Sequence, residues 1–430
     1  MSRSIVCVVG ALWAGCGGRG AVAPGAPEPI PLSAAQQVFA EAAARCGADR
    51  GALWGVSLCG PIMLVDRDSR FVVANQADEL DKLHGDRGVF VGVLSADEPV
   101  ANTAMTWSGV RWTQLSWPLP DEAAQRAVLV MHEAFHRIAD QAHVPQVIAG
   151  DCAHLDTADG RYYLQLEWRA LAAALQAPDD PARRAAVLDA LAFRQARQAA
   201  APGAAANEQA LELDEGLAEY TGIMVGLAAP AERRAAAIAD LAAHVDDPSF
   251  VRSFAYATGP ALGLLLDQYA AGWRQELARA TTLGARLATA LGEAALPDVV
   301  AAAARYDGPA LHAAEQTRAA EHGRQLAAYR AQLVDGPVLK LAFRHMKIEF
   351  DPRDVVALDA LGSVYPALRV TDDWGALEVH GGALLAADYS AVTVAAPAAG
   401  ALRGPGWTLT LAAGWHVVPG PRAGDLQLAR

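Results

Sequence analysis

The stretch His132-Glu133-Ala134-Phe135-His136 constrains this chain more than any other. It lies in a run, Ala123 to Ala142, whose apolar residues Val128, Leu129, Val130, Met131, Phe135 and Ile138 predict a buried helix. Pro118 and Pro120 precede that run, Asp121 suits its N-cap, and Val144-Pro145 follows it. On a helix, His132 and His136 leave the same face with Cβ atoms roughly 5–6 Å apart, so both imidazoles reach one ion. Glu133 is turned about 100° from His132, which sets its carboxylate beside that ion rather than on it. Zinc accepts two imidazoles at this spacing, and the adjacent carboxylate is placed to take a proton from a water that the metal activates. By chance the pattern arises in a chain of this composition on the order of once or twice in a hundred. Two unpartnered imidazoles in a buried helix would be hard to account for otherwise.

A zinc site needs a third protein ligand. In the extended metzincin pattern, a glycine and a histidine would stand where this chain has Ala139 and Ala142, and His143 is one residue out of register. Downstream, Leu211-Glu212-Leu213-Asp214-Glu215-Gly216-Leu217-Ala218-Glu219-Tyr220 reads as a second apolar helix. With this segment the chain resembles the gluzincin metallopeptidases, and the zinc aminopeptidases in particular, with Asp214 where their Asn stands. The resemblance implies one Zn2+ ion held by His132, His136 and Glu215, with Glu133 as general base. Glu219, one turn on, and Glu167 in Tyr162-Tyr163-Leu164-Gln165-Leu166-Glu167 are the other candidates for the third ligand. Glu219 also suits a partner that orients a ligand.

Two further segments are similar to the zinc aminopeptidases. Tyr256 stands three residues before Gly259, like the tyrosine that hydrogen-bonds the oxyanion, which implies a second catalytic residue. Asn102-Thr103-Ala104-Met105 partly matches the strand that aligns the peptide, and a strand there can bind substrate backbone by β-augmentation. Thr106 replaces the family's glutamate for a free α-amino group, so the implied activity is hydrolysis of peptide bonds in a peptide or protein substrate without a stated end preference. Arg252, His154 and His244 read as ordinary surface or helix-end residues. The resemblance covers about residues 90 to 280. The competing reading is a non-catalytic zinc-binding envelope lipoprotein that acts as a scaffold or binding module, and the retained Glu133 weighs against it.

With 430 residues the chain exceeds one comfortable hydrophobic core. Alanine-rich stretches between about 170 and 335 favour helices, expected at 161–177, 181–200, 207–227, 230–245, 252–280 and 309–334 after a first helix at 33–46. Strand patterns precede them in GPIMLVDRDSRFVVANQ, GVFVGVL and NTAMTWSGVRWTQLSW. Beyond Asp335-Gly336-Pro337, β-branched and aromatic runs return. The fold class is therefore α+β: a small N-terminal mixed sheet (50–117) on a mostly helical, zincin-like body (121–335), the two forming one domain from 33 to 335. A small all-β domain follows from 336 to 430.

A formal net charge of −13 without a basic block excludes a surface that tracks phosphates, and with it nucleic acid as a partner. Arg3, a short apolar run and Ala14-Gly15-Cys16 follow the order of a secretory signal over 1–16. The small residues before Cys16 resemble a bacterial lipoprotein signal, which implies acylation of Cys16; simple cleavage and a structural N-terminal strand are the other readings, and all three leave 17–32 as a Gly/Pro/Ala tether. The expected location is the cell envelope, facing the periplasm or the cell surface, with membrane contact only through the lipid. Cys46, Cys59 and Cys152 would then lie in an oxidising compartment, where a short-loop Cys46–Cys59 disulfide is plausible chemistry.

Overall fold

The computed structural model describes residues 29–430 except 96–97, 146, 148–149, 151, 278–281, 293, 351–354 and 399–400. The expected signal at 1–16, with Cys16, and the tether up to residue 28 lie outside these residues. The architecture is mixed α and β, with an N-terminal sheet, a central helical region and C-terminal β-sheets. Its described residues divide into two compact units, one ending at Glu315 and the other starting at Gln316.

In the first unit, α1 (Leu32–Asp49) precedes β1 (Ile62–Asp66), β2 (Phe71–Ala74), β3 (His84–Asp86), β4 (Val89–Val93), β5 (Thr103–Trp107) and β6 (Val110–Trp117). A disulfide joins Cys46, near the end of α1, to Cys59 just ahead of β1. The strands form one sheet in the order β3-β4-β2-β1-β6-β5. It is mixed, because β1 runs parallel to β6 and antiparallel to β2. Successive side chains on a strand point to opposite faces, and both faces are covered. Leu64, Val73, Val91 and Leu115 join the main helical core, whereas Met63, Val65, Val72 and Trp112 form a second, smaller cluster.

The helices follow as α2 (Ala123–Ile138), α3 (Ala158–Gln176), α4 (Asp180–Ala199), α5 (Ala204–Leu211), a π turn (Glu212–Gly216), α6 (Leu217–Gly226), α7 (Pro230–Ala243), α8 (Ser253–Tyr269), α9 (Leu283–Ala290), α10 (Val299–Ala303) and α11 (Gly308–Arg330). None of the described helices is long and apolar enough to cross a membrane. Several boundaries differ from the sequence expectation, three of them in α2 and α8. The N-cap of α2 is Glu122 rather than Asp121, whose carbonyl accepts from Arg126. The same helix ends at Ile138, because the chain reverses through His143, a residue in the left-handed region at φ 54°. The expected helix at 252–280 stops at Tyr269, and Gly272 at φ 77° starts a short 3-10 turn.

Glycine decides how closely these helices meet. A Cβ on Gly222 would stand 2.7 Å from the Val128 carbonyl oxygen, and one on Gly226 would stand 2.8 Å from the Val128 nitrogen. The backbones of α2 and α6 therefore touch along one turn, which presents the residues of α6 directly to His132. A Cβ on Gly259 of α8 would meet the Gly216 Cα at 2.3 Å, so α8 crosses the π turn backbone to backbone.

A buried ionic network backs this arrangement. Arg194 of α4 donates to Glu167 of α3 at 2.9 Å and to Glu212 at 3.0 Å. Arg197 makes two 2.9 Å bonds to Glu208 of α5 and a further bond to Glu167. All five side chains are shut off from solvent. Removing one member of such a network leaves an uncompensated buried charge, typically at a cost of about 3–5 kcal/mol.

In the second unit, the end of α11 is followed by β7 (Val338–Ala342), β8 (Lys347–Phe350), β9 (Val356–Ala357), β10 (Gly362–Tyr365), β11 (Leu368–Asp372), β12 (Gly375–Val379), β13 (Ala383–Ala386), β14 (Ala391–Ala395), β15 (Arg403–Gly404), β16 (Trp407–Leu411), β17 (His416–Pro419) and β18 (Leu426–Ala429). They form two sheets, β17-β18-β7-β14-β13-β10-β9 and β15-β16-β12-β11-β8. Leu341, Leu385 and Val392 of the first share a core with Val370, Leu377 and Leu409 of the second. The outer face of the larger sheet, through Val364 and Leu384, packs with Leu326, Tyr329 and Leu333. The return of β-type composition at Asp335 thus marks the start of β7, whereas the packing of this unit already includes the last turns of α11.

Arg197→Met is expected to lower the stability of the folded protein by about 3–5 kcal/mol in urea denaturation, since Glu208 and Glu167 stay buried with one balancing positive charge removed. A change within about 0.5 kcal/mol, as for an ordinary surface substitution, would show that the network contributes little.

Candidate metal centre

The close contact of α2 with α6 and the crossing of α8 over the π turn bring His132, His136 and Glu215 together. The Nε2 atoms of His132 and His136 are 3.2 Å apart, and Oε2 of Glu215 lies 3.5 Å from each. With metal–ligand bonds of about 2.0–2.1 Å, a tetrahedral zinc site has ligand–ligand edges of about 3.3–3.4 Å. The three measured edges match that value, and two imidazoles with one carboxylate are the donor set of catalytic zinc sites. The residues present fit a zinc ion.

Each ligand is held from behind. Nδ1 of His132 is 2.7 Å from Oε2 of Glu219, so the ring proton sits on Nδ1 and the Nε2 lone pair faces the other two ligands. Nδ1 of His136 faces Asp214 at 3.4 Å. Glu215 accepts from Arg252 Nη2 on Oε1 at 2.8 Å and from the Tyr256 hydroxyl on Oε2 at 2.6 Å. The Tyr256 ring stacks on the His132 ring, 5.6 Å between centroids and 5° from parallel. Arg111 on β6 donates to the His136 and Arg137 carbonyls, closing the end of α2.

The electrostatics are those of a cation site. Burial works against a charge on His132, but hydrogen bonds with Glu215 and Glu219 outweigh it and hold the imidazole up at about 10. For His136 burial is likewise outweighed, by Asp214 and Glu215, giving about 9. Burial would raise Glu215, yet its contacts with His132, His136 and Tyr256 hold its carboxyl far below the usual range. Glu133 moves the other way: burial pushes its carboxyl up, with help from Glu215 and Glu219 and opposition from both histidines. Burial, joined by Glu215, also raises the Tyr256 hydroxyl well above its ordinary value, so it keeps its proton. Behind Glu219, burial and that carboxylate push Asp240 up to about 7.

The other sequence candidates fall in distinct places. Glu167 is consumed by Arg194 and Arg197, and Glu219 reaches Nδ1 of His132 rather than the face shared by the three ligands. Thr103, Ala104 and Met105 lie on β5, the strand at one edge of the sheet and beside α2, and Met105 is buried. Asn102 precedes β5, and its side chain accepts from the Ser116 backbone, so it fastens β5 to β6. His154 belongs to the ionic network through Glu208 at 2.8 Å. His244, tied to Asp247 at 2.8 Å, lies with its ring 6.3 Å from that of Tyr256. Arg252 is an exposed helix-end residue as expected, and it also bonds Glu215. The signal in the sequence was its spacing: four residues before Tyr256, it shares that side chain's helical face. No family model, curated protein or solved structure matches the chain, and the site stands on its own geometry.

Two outcomes follow from this arrangement. An ion competes with protons for the Nε2 lone pairs, and the acidic neighbours favour the protonated form of both rings, so uptake at pH 7 should release protons and weaken as the pH falls. Calorimetry in buffers of different ionisation heat reads this directly, and uptake with no buffer dependence would refute it. Gly259→Ala should push α8 off the π turn, costing about 1–3 kcal/mol of stability and weakening zinc binding. Unchanged zinc affinity would show that Glu215 does not depend on this crossing.

Proposed function

We propose that the chain is a zinc metallopeptidase of gluzincin type that hydrolyses peptide bonds. The observation that carries the reading is the donor triangle of His132, His136 and Glu215, with edges of 3.2, 3.5 and 3.5 Å and a buried glutamate, Glu133, beside it. Zn2+ would be held by those three residues, and when bound it supplies an acidified water, of pKa about 7, and a polarised carbonyl.

The protein's own groups do the rest. Glu133 takes the proton as the water oxygen adds to the scissile carbonyl carbon, then hands that proton to the amine as the carbon–nitrogen bond breaks. Tyr256, protonated and stacked on His132, donates to Oε2 of Glu215; passing that hydrogen bond to the substrate oxygen would meet the negative charge that develops there. No strand among the described residues pairs with the outer edge of β5, which leaves that edge to an extended peptide.

The Cys46–Cys59 disulfide supports placing the protein outside the reducing cytosol. That agrees with the signal read in residues 1–16 and with a lipid anchor at Cys16 in the cell envelope.

The test is cleavage of a diverse peptide library by zinc-loaded parent, Glu133→Gln and Glu215→Ala, with metal analysis of each. Glu133→Gln should keep its ion and lose about 10²–10⁴-fold in kcat, while Glu215→Ala should lose the ion. Stoichiometric zinc with equal or absent cleavage in parent and Glu133→Gln would leave the non-catalytic scaffold as the better reading.

A further inference from the structure

Glu215 is the one ligand of the triangle with two equivalent donor atoms, and the structure treats them differently. Oε2 faces both histidine Nε2 atoms at 3.5 Å, whereas Oε1 accepts from Arg252 Nη2 at 2.8 Å. The Arg252 side chain is 69% exposed and that of Glu215 is 10% exposed, so a solvent-borne guanidinium reaches inward to engage one oxygen of a buried carboxylate. Arg252 immediately precedes α8, Tyr256 is one turn further on, and each takes a different oxygen. The Gly216–Gly259 contact fixes α8 next to Glu215, which makes this division a property of the helix crossing rather than of one side chain.

We infer that Arg252 is a positioning residue that confines Glu215 to one-oxygen ligation of the metal. A catalytic zinc site works because three protein ligands leave a position for water and substrate. A glutamate that offers both oxygens fills that position and makes a tighter but inert site. A charge-assisted bond to a guanidinium is among the stronger hydrogen bonds available to a carboxylate, and it keeps Oε1 out of the coordination sphere. The inference rests on the metallopeptidase reading and adds to it a reason for an arginine at the mouth of an otherwise acidic site.

Cobalt(II) in place of zinc reports coordination number through its visible absorption, which is intense for four ligands and weak for five or six. Full-length parent, Arg252→Ala and Arg252→Lys are loaded with one equivalent of cobalt, and their spectra, metal affinity, kcat and KM are measured. In Arg252→Ala the absorption should fall several-fold. Affinity should hold or rise, and kcat should drop with KM little changed. Arg252→Lys keeps a cationic donor and should restore most of the intensity. Arg252→Ala with the spectrum of the parent overturns the inference and leaves the metal site standing. A parent chain that takes up no cobalt overturns both.

Discussion

Like charges packed into a low-dielectric interior repel strongly, and this constraint governs the first unit. Glu133, Glu215 and Glu219 converge on two histidines within one crossing of helices, with Asp214 at the rim and Asp240 behind. Hydrogen bonds with these acidic groups favour the protonated form of both imidazoles, and Arg252 brings a further positive charge to Glu215.

The fold supplies that convergence through backbone contact. Side chains as large as histidine and glutamate meet end to end only if the helices bearing them approach closely, and Gly222, Gly226, Gly216 and Gly259 remove the side chains that would hold them apart. Val128 packs directly onto α6, and α8 lies on the π turn. These contacts leave no slack, so the ligand atoms are placed by main chain rather than by flexible side-chain adjustment.

What the sequence disclosed follows from the range of each interaction. His132, Glu133 and His136 were legible because their relation is set within one helical turn, and Glu215 because its neighbours Asp214 and Gly216 form a local pattern. The strands of the N-terminal sheet were visible as alternating runs, apart from the short β3, but their order was not, since pairing joins distant residues. The π turn escaped notice: the apolar spacing from 207 to 227 suits an uninterrupted helix, and only packing against Gly259 and Arg194 shows otherwise. The ionic network was equally hidden, because Arg194 and Arg197 look like any charged residues until Glu167, Glu208 and Glu212 are found opposite them. The ends of α2 were misplaced where long-range side chains intervene: Arg126 holds the Pro120 and Asp121 carbonyls ahead of the helix, and Arg111 holds the His136 and Arg137 carbonyls at its end.

The π turn has one more implication. Glu208, Glu212, Glu215 and Glu219 follow the spacing of a single stripe, and on an uninterrupted α-helix all four would project in nearly one direction. A π turn takes more residues per turn than its α counterpart, and so it splits the stripe into two pairs. The first pair faces Arg194 and Arg197, where its charge is neutralised permanently by protein. The second faces His132 and His136. A local underwinding of five residues thus divides one row of identical side chains between two sets of partners, and the loss of a single residue from Glu212–Gly216 would fuse them again.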